Sequence, residues 1–237
     1  MTDAIRLLGF ESGGWGFALL AASLVTLVLS VAGFSLGAAI GGLAAAARVS
    51  QSRLLAGIAD GYGTIFRGVP DLLTIYLLYF GGSIALTTVG RWIGLNGFIG
   101  LPAFATGTFA IGIISGAYQA EVFRGAWLAL DRGQVEAAYA YGMPHRLALR
   151  RVILPQLMRH AVPGLSNVWQ LVLKDSALIS VIGLVELMRQ AQIGAGSTRQ
   201  PFIFYTAAAA LYFIIASATG VLFRRGERIT MRGVRRG

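Results

Sequence analysis

The stretch EAAYAYGMPHRLALRRVILP, residues 136–155, is a polar and basic interruption in a chain that is otherwise apolar. Its second half carries four arginine or histidine side chains. Gly142 divides it, and glycine ends helices readily because the left-handed conformation costs it little. Pro144 is tolerated in the first turn of a helix, whereas Pro155 limits its regular continuation. The stretch is therefore predicted to be a short hairpin of two helices.

The rest of the chain has the composition of a membrane protein. Its 237 residues are 56% hydrophobic and 13% charged, whereas soluble domains carry about 25% charged residues. A bilayer core is crossed by roughly 20 apolar residues in a helix. Charge-free stretches of about that length or longer cover residues 15–47, 72–90, 92–120 and 200–223. An all-α, multi-pass membrane protein is predicted, rather than a soluble helical one.

Five transmembrane helices are expected, at about residues 15–47, from 72 through 79 and beyond, 101–123, 161–185 and 201–223. Between the first two, apolar residues recur at helical spacing from Leu54 to Phe66, which predicts a half-buried or interfacial helix. The sequence KDS, residues 174–176, interrupts the fourth span. A loop with Arg189 and Arg199 is expected before the fifth. The first span is too long for a signal peptide and is expected to remain in the protein.

The distribution of arginine predicts the orientation. Fourteen positive charges lie in the first and third loops and the tail, against four in the N-terminal segment and the two other loops. Cytoplasmic loops of membrane proteins collect Lys and Arg. The N-terminus is therefore expected outside, and the central loop (about 124–160) and the basic tail (224–237) in the cytoplasm. The same bias explains the net charge of +10, so no nucleic-acid partner is needed to account for it. A single transmembrane domain is expected over residues 1–237.

Several kinds of chemistry are excluded. The chain has no cysteine, hence no disulfide or thiol chemistry. A P-loop requires G-x-x-x-x-G-K-[ST], but the one lysine, Lys174, follows Leu173. The chain therefore cannot hydrolyse ATP, and no catalytic residue is assigned. His145 and His160 are too few and too distant for a metal site and are expected at a surface or interface.

The central stretch resembles the EAA loop of ABC importer permeases, whose pattern is EAA, three residues, G, nine residues and I-x-L-P. Here Glu136 opens the EAA triplet, Gly142 takes the glycine position and Val152 stands where isoleucine is usual. The flanks RGVPDLLTIYLLYFG (67–81), ISGAYQAEVFRGAW (114–127) and LKDSALISVIGLVEL (173–187) resemble membrane subunits of polar amino acid importers. The histidine, lysine–arginine–ornithine, arginine and opine permeases are the most similar in appearance. The resemblance runs from about residue 23 to 223.

The resemblance implies the five-span, MetI-like permease fold of a type I importer in the inner membrane. It also implies three protein partners: a cytoplasmic ABC ATPase dimer, a second permease subunit that is homologous or identical, and a soluble extracytoplasmic amino-acid-binding protein. ATP and Mg would be held by the ATPase, so this chain is expected to bind no cofactor. Besides these proteins it would contact membrane lipids, but no nucleic acid. The solutes implied are polar, cationic amino acids or opine-like conjugates, imported by alternating access.

The hairpin is expected to be a rigid wedge that transmits motion from the ATPase. Its two alanines would let the helix sit closely in a groove of the ATPase. Glu136 would pair with a basic group of the ATPase, and the arginines would reach acidic groups of the ATPase or inner-leaflet lipid. The residues assigned to coupling are Glu136, Ala137, Ala138, Gly142, Arg146 and Arg150. The alternative is a solvated loop whose arginines only enforce topology.

Ionisable residues inside spans are costly and therefore mark candidate sites. Substrate contact is assigned to Asp71, Tyr118, Glu121, Ser176 and Ser180, and a structural or gating role to Arg67, Pro70, Lys174 and Asp175. Two alternatives stay open: Arg67 and Asp71, four residues apart, could neutralise each other on one helix face, and Glu121 could simply pair with Arg124.

Asp71 carries the expectation of a cationic solute. A carboxylate in a low-dielectric pocket favours a guanidinium or ammonium group. The resemblance agrees, because look-alike permeases for cationic substrates have an acid after this proline, where those for acidic or neutral amino acids have an uncharged residue. The alternative function is a secondary transporter or channel that uses the intramembrane acids. Such a protein usually has more spans or an inverted repeat. A third alternative is a membrane scaffold that transports nothing, but such a protein would not need the intramembrane acids.

Overall fold

The computed structural model describes residues 7–11, 13–95 and 97–231, which are predominantly helical. In chain order the helices are α1 (Gly16–Val49), α2 (Arg53–Gly68), α3 (Asp71–Tyr76), α4 (Gly82–Trp92), α5 (Ala103–Leu128), α6 (Arg132–Ala140), α7 (His145–Ala148), α8 (Leu154–Asp175), α9 (Leu187–Thr198) and α10 (Pro201–Thr230). Two π-helical turns, Leu77–Gly81 and Leu149–Ile153, join α3 to α4 and α7 to α8. A 3-10 turn, Ser176–Ile182, follows α8. The predicted all-α architecture is confirmed.

Three helical segments of the described chain are long and apolar enough to cross a membrane: Gly16–Val49, Asp71–Trp92 and Pro201–Thr230. They coincide with the first, second and fifth predicted spans. The helices α5 and α8 stand at the third and fourth positions, with 26 and 22 residues. On α5, polar side chains such as Ser115 and Gln119 are buried against other helices. These side chains lower the hydropathy of α5 but pack within the protein.

The centre of the fold is the packing of α1 against α5. Gly33, Gly37 and Gly41 of α1 are buried in this seam. A Cβ atom on Gly41 would lie 2.8 Å from the carbonyl oxygen of Gly116 on α5. Small residues let helix backbones approach closely inside a membrane, where van der Waals packing drives association. The seam therefore requires glycine at this position.

The amphipathic stripe predicted between the first two spans lies on α2. Ala59 and Gly63 are the buried residues of this helix. The larger apolar side chains, among them Leu54, Ile58 and Ile65, are exposed on this chain. Most of the stripe therefore points away from the fold. The contact with α1 and α5 is made by the small residues and by Tyr62, whose hydroxyl donates to the carbonyl oxygen of Ile113 at 2.6 Å.

Pro155 does not limit the second helix of the hairpin as predicted. The helix that begins at His145 widens into a π turn over Leu149–Ile153 and continues as α8 to Asp175. A proline removes one backbone donor and its ring crowds the preceding turn. An irregular turn just before it accommodates both effects. The helix at the fourth predicted position thus starts at Leu154 rather than at residue 161.

Two further boundaries differ from the prediction. The expected loop with Arg189 and Arg199 is the helix α9, which ends where Arg199 adopts φ 57°. Helix α10 runs on to Thr230, so the expected basic tail begins inside a helix. Arg159 donates from Nε to the carbonyl oxygen of Thr230 at 3.0 Å and thereby caps that helix. Residues 232–237 of the tail lie outside the described residues.

Candidate functional site

The helical path is interrupted between α2 and α3. Val69 and Pro70 adopt extended conformations there. Proline lacks a backbone donor and drives the residue before it out of the α conformation, which explains the interruption. The interruption leaves Asp71 half-buried in the first turn of α3.

Three side chains from separate segments form what we call the acidic cluster: Asp71 on α3, Tyr118 on α5 and Asp175 at the end of α8. Helix α3 packs here against α5 and the turn after α8, because Ile75, Ile114 and Ile179 share one buried cluster and Tyr118 packs against it. This packing brings the two carboxylates and the Tyr118 hydroxyl close enough to influence one another electrostatically. Two like charges in a half-buried place destabilise each other. A bound cation would relieve that repulsion. Asp175, to which the sequence assigned a structural or gating role, therefore lies in the same cluster as Asp71.

A second group, the ionic cluster, surrounds Glu121 and consists of Arg48, Asp60, Arg67, Glu121 and Arg124. Oxygen Oε1 of Glu121 accepts from Arg48 Nη1 at 2.6 Å and from Arg67 Nη2 at 2.8 Å, and Oε2 accepts from Arg124 Nε at 3.1 Å. Arg48 also binds Asp60 Oδ1 through Nε at 2.5 Å. The Arg48 side chain is only 9% exposed, so both carboxylates compensate its burial.

The ionic cluster corrects two expectations. The described ion pairs join Arg67 to Glu121 and not to Asp71. The alternative pairing of Glu121 with Arg124 does form, but as one of three contacts. Both oxygens of Glu121 are engaged by guanidinium groups, which leaves it poorly placed to hold a solute ammonium group. Tyr118 and Glu121, both assigned to substrate contact, take part in different clusters.

The two serines assigned to substrate contact point into the protein instead. Ser176 is fully buried and donates to the carbonyl oxygen of Leu173 at 2.7 Å, within its own helical segment. Ser180 is 4% exposed. Their hydroxyls therefore belong to the packing at the end of α8. Lys174, just before Asp175, is exposed and lines an apolar groove between α8 and α10.

The predicted hairpin has the expected bend. Gly142 adopts φ 75°, the left-handed conformation, and its N–H donates to the carbonyl oxygen of Tyr139 at 2.9 Å. Across the bend, the Tyr139 hydroxyl and His145 Nδ1 are hydrogen-bonded at 2.8 Å. The two arms of the hairpin are thus tied by a side-chain contact that the sequence did not reveal.

The coupling residues differ in exposure. Glu136, Ala137, Arg146 and Arg150 are exposed. Glu136 lines a groove of about 210 Å³ together with Trp127, Arg132 and Ile153. Ala138 is 5% exposed and packs inside the chain, so it shapes the hairpin rather than its outer surface.

Sequence reasoning missed a buried network around Glu186. This residue is fully buried and caps α9 by accepting from the backbone N–H groups of Met188 at 3.0 Å and Arg189 at 2.7 Å. Its Oε2 also accepts from the hydroxyls of Tyr212 at 2.9 Å and Thr26 at 3.4 Å. The network therefore joins α1, α9 and α10. An acid directly before a helical pattern was the available signal, because acids are favoured at helix N-termini.

Comparison with known proteins decides the family. The model of the binding-protein-dependent transport system inner membrane component matches residues 37–228. The chain belongs to this family. It is therefore the membrane permease subunit of an ABC importer, and the alternative of a secondary transporter or channel does not hold.

Related permeases match over nearly their full length. The octopine transport system permease protein OccQ of Agrobacterium tumefaciens (strain Ach5) is 54% identical, over 99% of each chain. The nopaline permease NocQ of Agrobacterium fabrum is 44% identical, over 98% of each. The histidine/lysine/arginine/ornithine permease HisQ of Escherichia coli (strain K12) is 38% identical, over 94% of this permease and 97% of HisQ.

Solved structures agree on the fold. A crystal structure of an amino acid ABC transporter with histidines superposes with a TM-score of 0.74 at 34% identity, over 90% of this permease and 94% of that chain. The inward-facing MetNI methionine ABC transporter superposes with a TM-score of 0.58 at 20% identity. The predicted MetI-like permease fold is confirmed.

Proposed function

We propose that this permease carries cationic amino acids or opine-like conjugates of them, and that the acidic cluster is its solute site. The observation that carries the proposal is the packing of α3 against α5 and the turn after α8, which brings Asp71, Tyr118 and Asp175 near one another beside the break between α2 and α3. Irregular backbone at membrane depth is tolerated where it is buried or lines a cavity. Two carboxylates there would bind a guanidinium or ammonium group through charge-assisted hydrogen bonds. The related permeases OccQ, NocQ and HisQ, named for octopine, nopaline and histidine/lysine/arginine/ornithine transport, support the same class of solute.

The topology that fits this role has five spans in the inner (cytoplasmic) membrane. Its N-terminus lies outside and its C-terminus lies in the cytoplasm. The three strongly apolar segments would be joined by α5 and α8. The arginine bias supports the orientation. In this arrangement the hairpin of α6 and α7 projects into the cytoplasm, and α9 lies on the outer side.

The partners follow from that topology. The cytoplasmic ATPase dimer would hold ATP and Mg and would dock on the hairpin through Glu136, Arg146 and Arg150, with Ala137 at the contact and Gly142 supplying the bend. A second permease subunit, identical or homologous, would complete the pathway. A soluble binding protein would deliver solute to the outer side. ATP binding by the ATPase dimer would then shift the permease between inward and outward access through its differential affinity for the two states.

Direct binding tests the solute site. The permease–ATPase complex, purified without binding protein and placed in nanodiscs, is titrated with radiolabelled L-arginine. Asp71→Asn should weaken binding about tenfold or more, because a hydrogen bond to a charged group contributes about 1.5–3 kcal/mol and 1.4 kcal/mol is tenfold. Asp131→Asn is the matched control, since Asp131 is exposed before α6, lies outside both the acidic and the ionic cluster, and asparagine keeps an oxygen for the Gly133 N–H. Unchanged binding by the Asp71 variant would rule out the proposed site.

A further inference from the structure

We infer that Glu121 is a positioning residue: it holds Arg67 away from the acidic cluster, so that Asp71 and Asp175 stay free for the cationic solute. This inference rests on the proposed function, because it concerns the same site. It assigns Glu121 no contact with the solute. Arg67 lies near the proposed cation site, and its guanidinium group would otherwise compete with the solute for the two carboxylates.

The charge balance of the ionic cluster is the first step. Three arginines contact or adjoin two carboxylates, Glu121 and Asp60. The cluster is therefore already cationic overall, and Glu121 has no spare negative charge for a solute. Without Glu121 the three guanidinium groups would share Asp60 alone. Arg48 keeps its own bond to Asp60, so Arg67 would be left without its described carboxylate partner.

The position of Arg67 is the second step. It stands in the last turn of α2, four residues before Asp71 and on the other side of the break at Pro70. Four residues span at most about 14 Å even when fully extended, and arginine is a long, flexible side chain. The charge of Arg67 already acts on the Tyr118 hydroxyl, on which Asp71 and Asp175 also act. Arg67 thus lies near both clusters and is bonded to one of them, through Glu121.

Two contacts fix the present position of Arg67. Its Nη2 binds Glu121 Oε1 at 2.8 Å, and its Nε donates to the carbonyl oxygen of Gly63 at 2.9 Å. The hydrogen bond to the Gly63 carbonyl directs the Arg67 side chain back along α2. The Glu121 carboxylate supplies the negative charge that balances the guanidinium group. Since unpaired charge is costly in a half-buried site, loss of the carboxylate favours a move of Arg67 toward Asp71.

The test is a double-variant rescue, with L-arginine binding to the nanodisc complex as the readout. Glu121→Gln is expected to weaken binding about tenfold or more, which corresponds to about 1.4 kcal/mol. Glu121→Gln combined with Arg67→Gln should recover binding to within about threefold of the unaltered complex. Arg124→Gln removes another partner of Glu121 but leaves the contact with Arg67, and it should change binding less than about threefold. If Glu121 only stabilised the fold, removing the charge of Arg67 as well would not restore L-arginine binding.

Single variants separate this inference from the proposed function. Arg67→Gln alone should bind arginine as tightly as the unaltered complex or more tightly, because the competitor is gone. If Arg67→Gln weakens binding as much as Glu121→Gln, or if the double variant stays as weak as Glu121→Gln, the positioning role is overturned. If Asp71→Asn weakens binding but Glu121→Gln does not, the solute site stands and the positioning role fails. If Asp71→Asn has no effect, the solute site itself fails.

Discussion

Replacing Gly41 by alanine is expected to loosen the packing of α1 against α5. The added Cβ would lie 2.8 Å from the carbonyl oxygen of Gly116, 2.9 Å from Cβ of Gln119 and 3.0 Å from the backbone nitrogen of Ala120. None of these atoms is the end of a flexible side chain. The two helices would therefore have to move apart, and packing would be lost along the seam.

The neighbouring residue supplies a matched control for the magnitude. A Cβ added to Gly42 would have nothing within 4 Å. Alanine raises helix propensity by roughly 0.5–1 kcal/mol at either position, so the difference between the two variants isolates the packing cost. Overpacking a well-packed interior typically costs about 1–3 kcal/mol. Gly41→Ala should therefore be less stable than Gly42→Ala by about that amount.

The assay is unfolding of the detergent-purified permease by titration with sodium dodecyl sulfate. Trp169 provides the signal, since its ring packs edge-on against Phe34 of α1 with 5.4 Å between ring centroids. Free energies of unfolding that agree within about 0.5 kcal/mol, the usual range for surface substitutions, would refute the argument from the close approach of α1 and α5.

Three further predictions concern other parts of the chain. Glu186→Ala leaves the Tyr212 hydroxyl and two backbone N–H groups without their acceptor, so the free energy of unfolding should fall by about 2–4 kcal/mol in the same titration. Glu136→Lys reverses the charge on the exposed face of the hairpin and should lower ATP-driven uptake into proteoliposomes about tenfold without changing stability. Tyr139→Phe removes the bond to His145 and should lower the solute transported per ATP hydrolysed roughly two- to tenfold.

Each of these has a conservative or neighbouring control. Glu186→Gln keeps an acceptor oxygen and should be less destabilising than Glu186→Ala; equal losses would contradict the capping argument. Tyr141 is 88% exposed, so Tyr141→Phe should leave coupling intact, and an effect equal to that of Tyr139→Phe would count against the tie across the bend. If the Glu136→Lys variant shows normal ATP-driven uptake, the assignment of Glu136 to coupling is wrong.

The helices that sequence patterns located well are those with uninterrupted apolar runs. The first and fifth spans were predicted within a few residues at their N-terminal ends, because burial in lipid requires nothing beyond length and hydropathy. Helix α9 was missed because residues 187–198 contain no long apolar run. Leu187, Ala191 and Ala195 are buried at helical spacing against neighbouring helices, and that weaker periodicity, with the acid Glu186 directly before it, was the local signal.

The serines show why side-chain direction could not be predicted. Ser176 and Ser180 follow the Lys174–Asp175 pair in the sequence, which made them plausible pocket hydroxyls. In the fold, the 3-10 turn after α8 carries both into the interior, while Asp175 stays half-buried. A change in helical geometry within a few residues redirects each side chain, and sequence spacing alone does not specify that change.

The amino-acid sequence by itself determined that this is an all-α membrane protein with a bent, basic hairpin of the EAA pattern. These conclusions depend on composition and on residues close together in the chain. Only the tertiary structure decided which charges meet. Arg67 could pair with Asp71, four residues away, but instead binds Glu121 across the fold at 2.8 Å. The strength of an ion pair depends on distance and burial in space, and neither quantity can be read from separation along the chain.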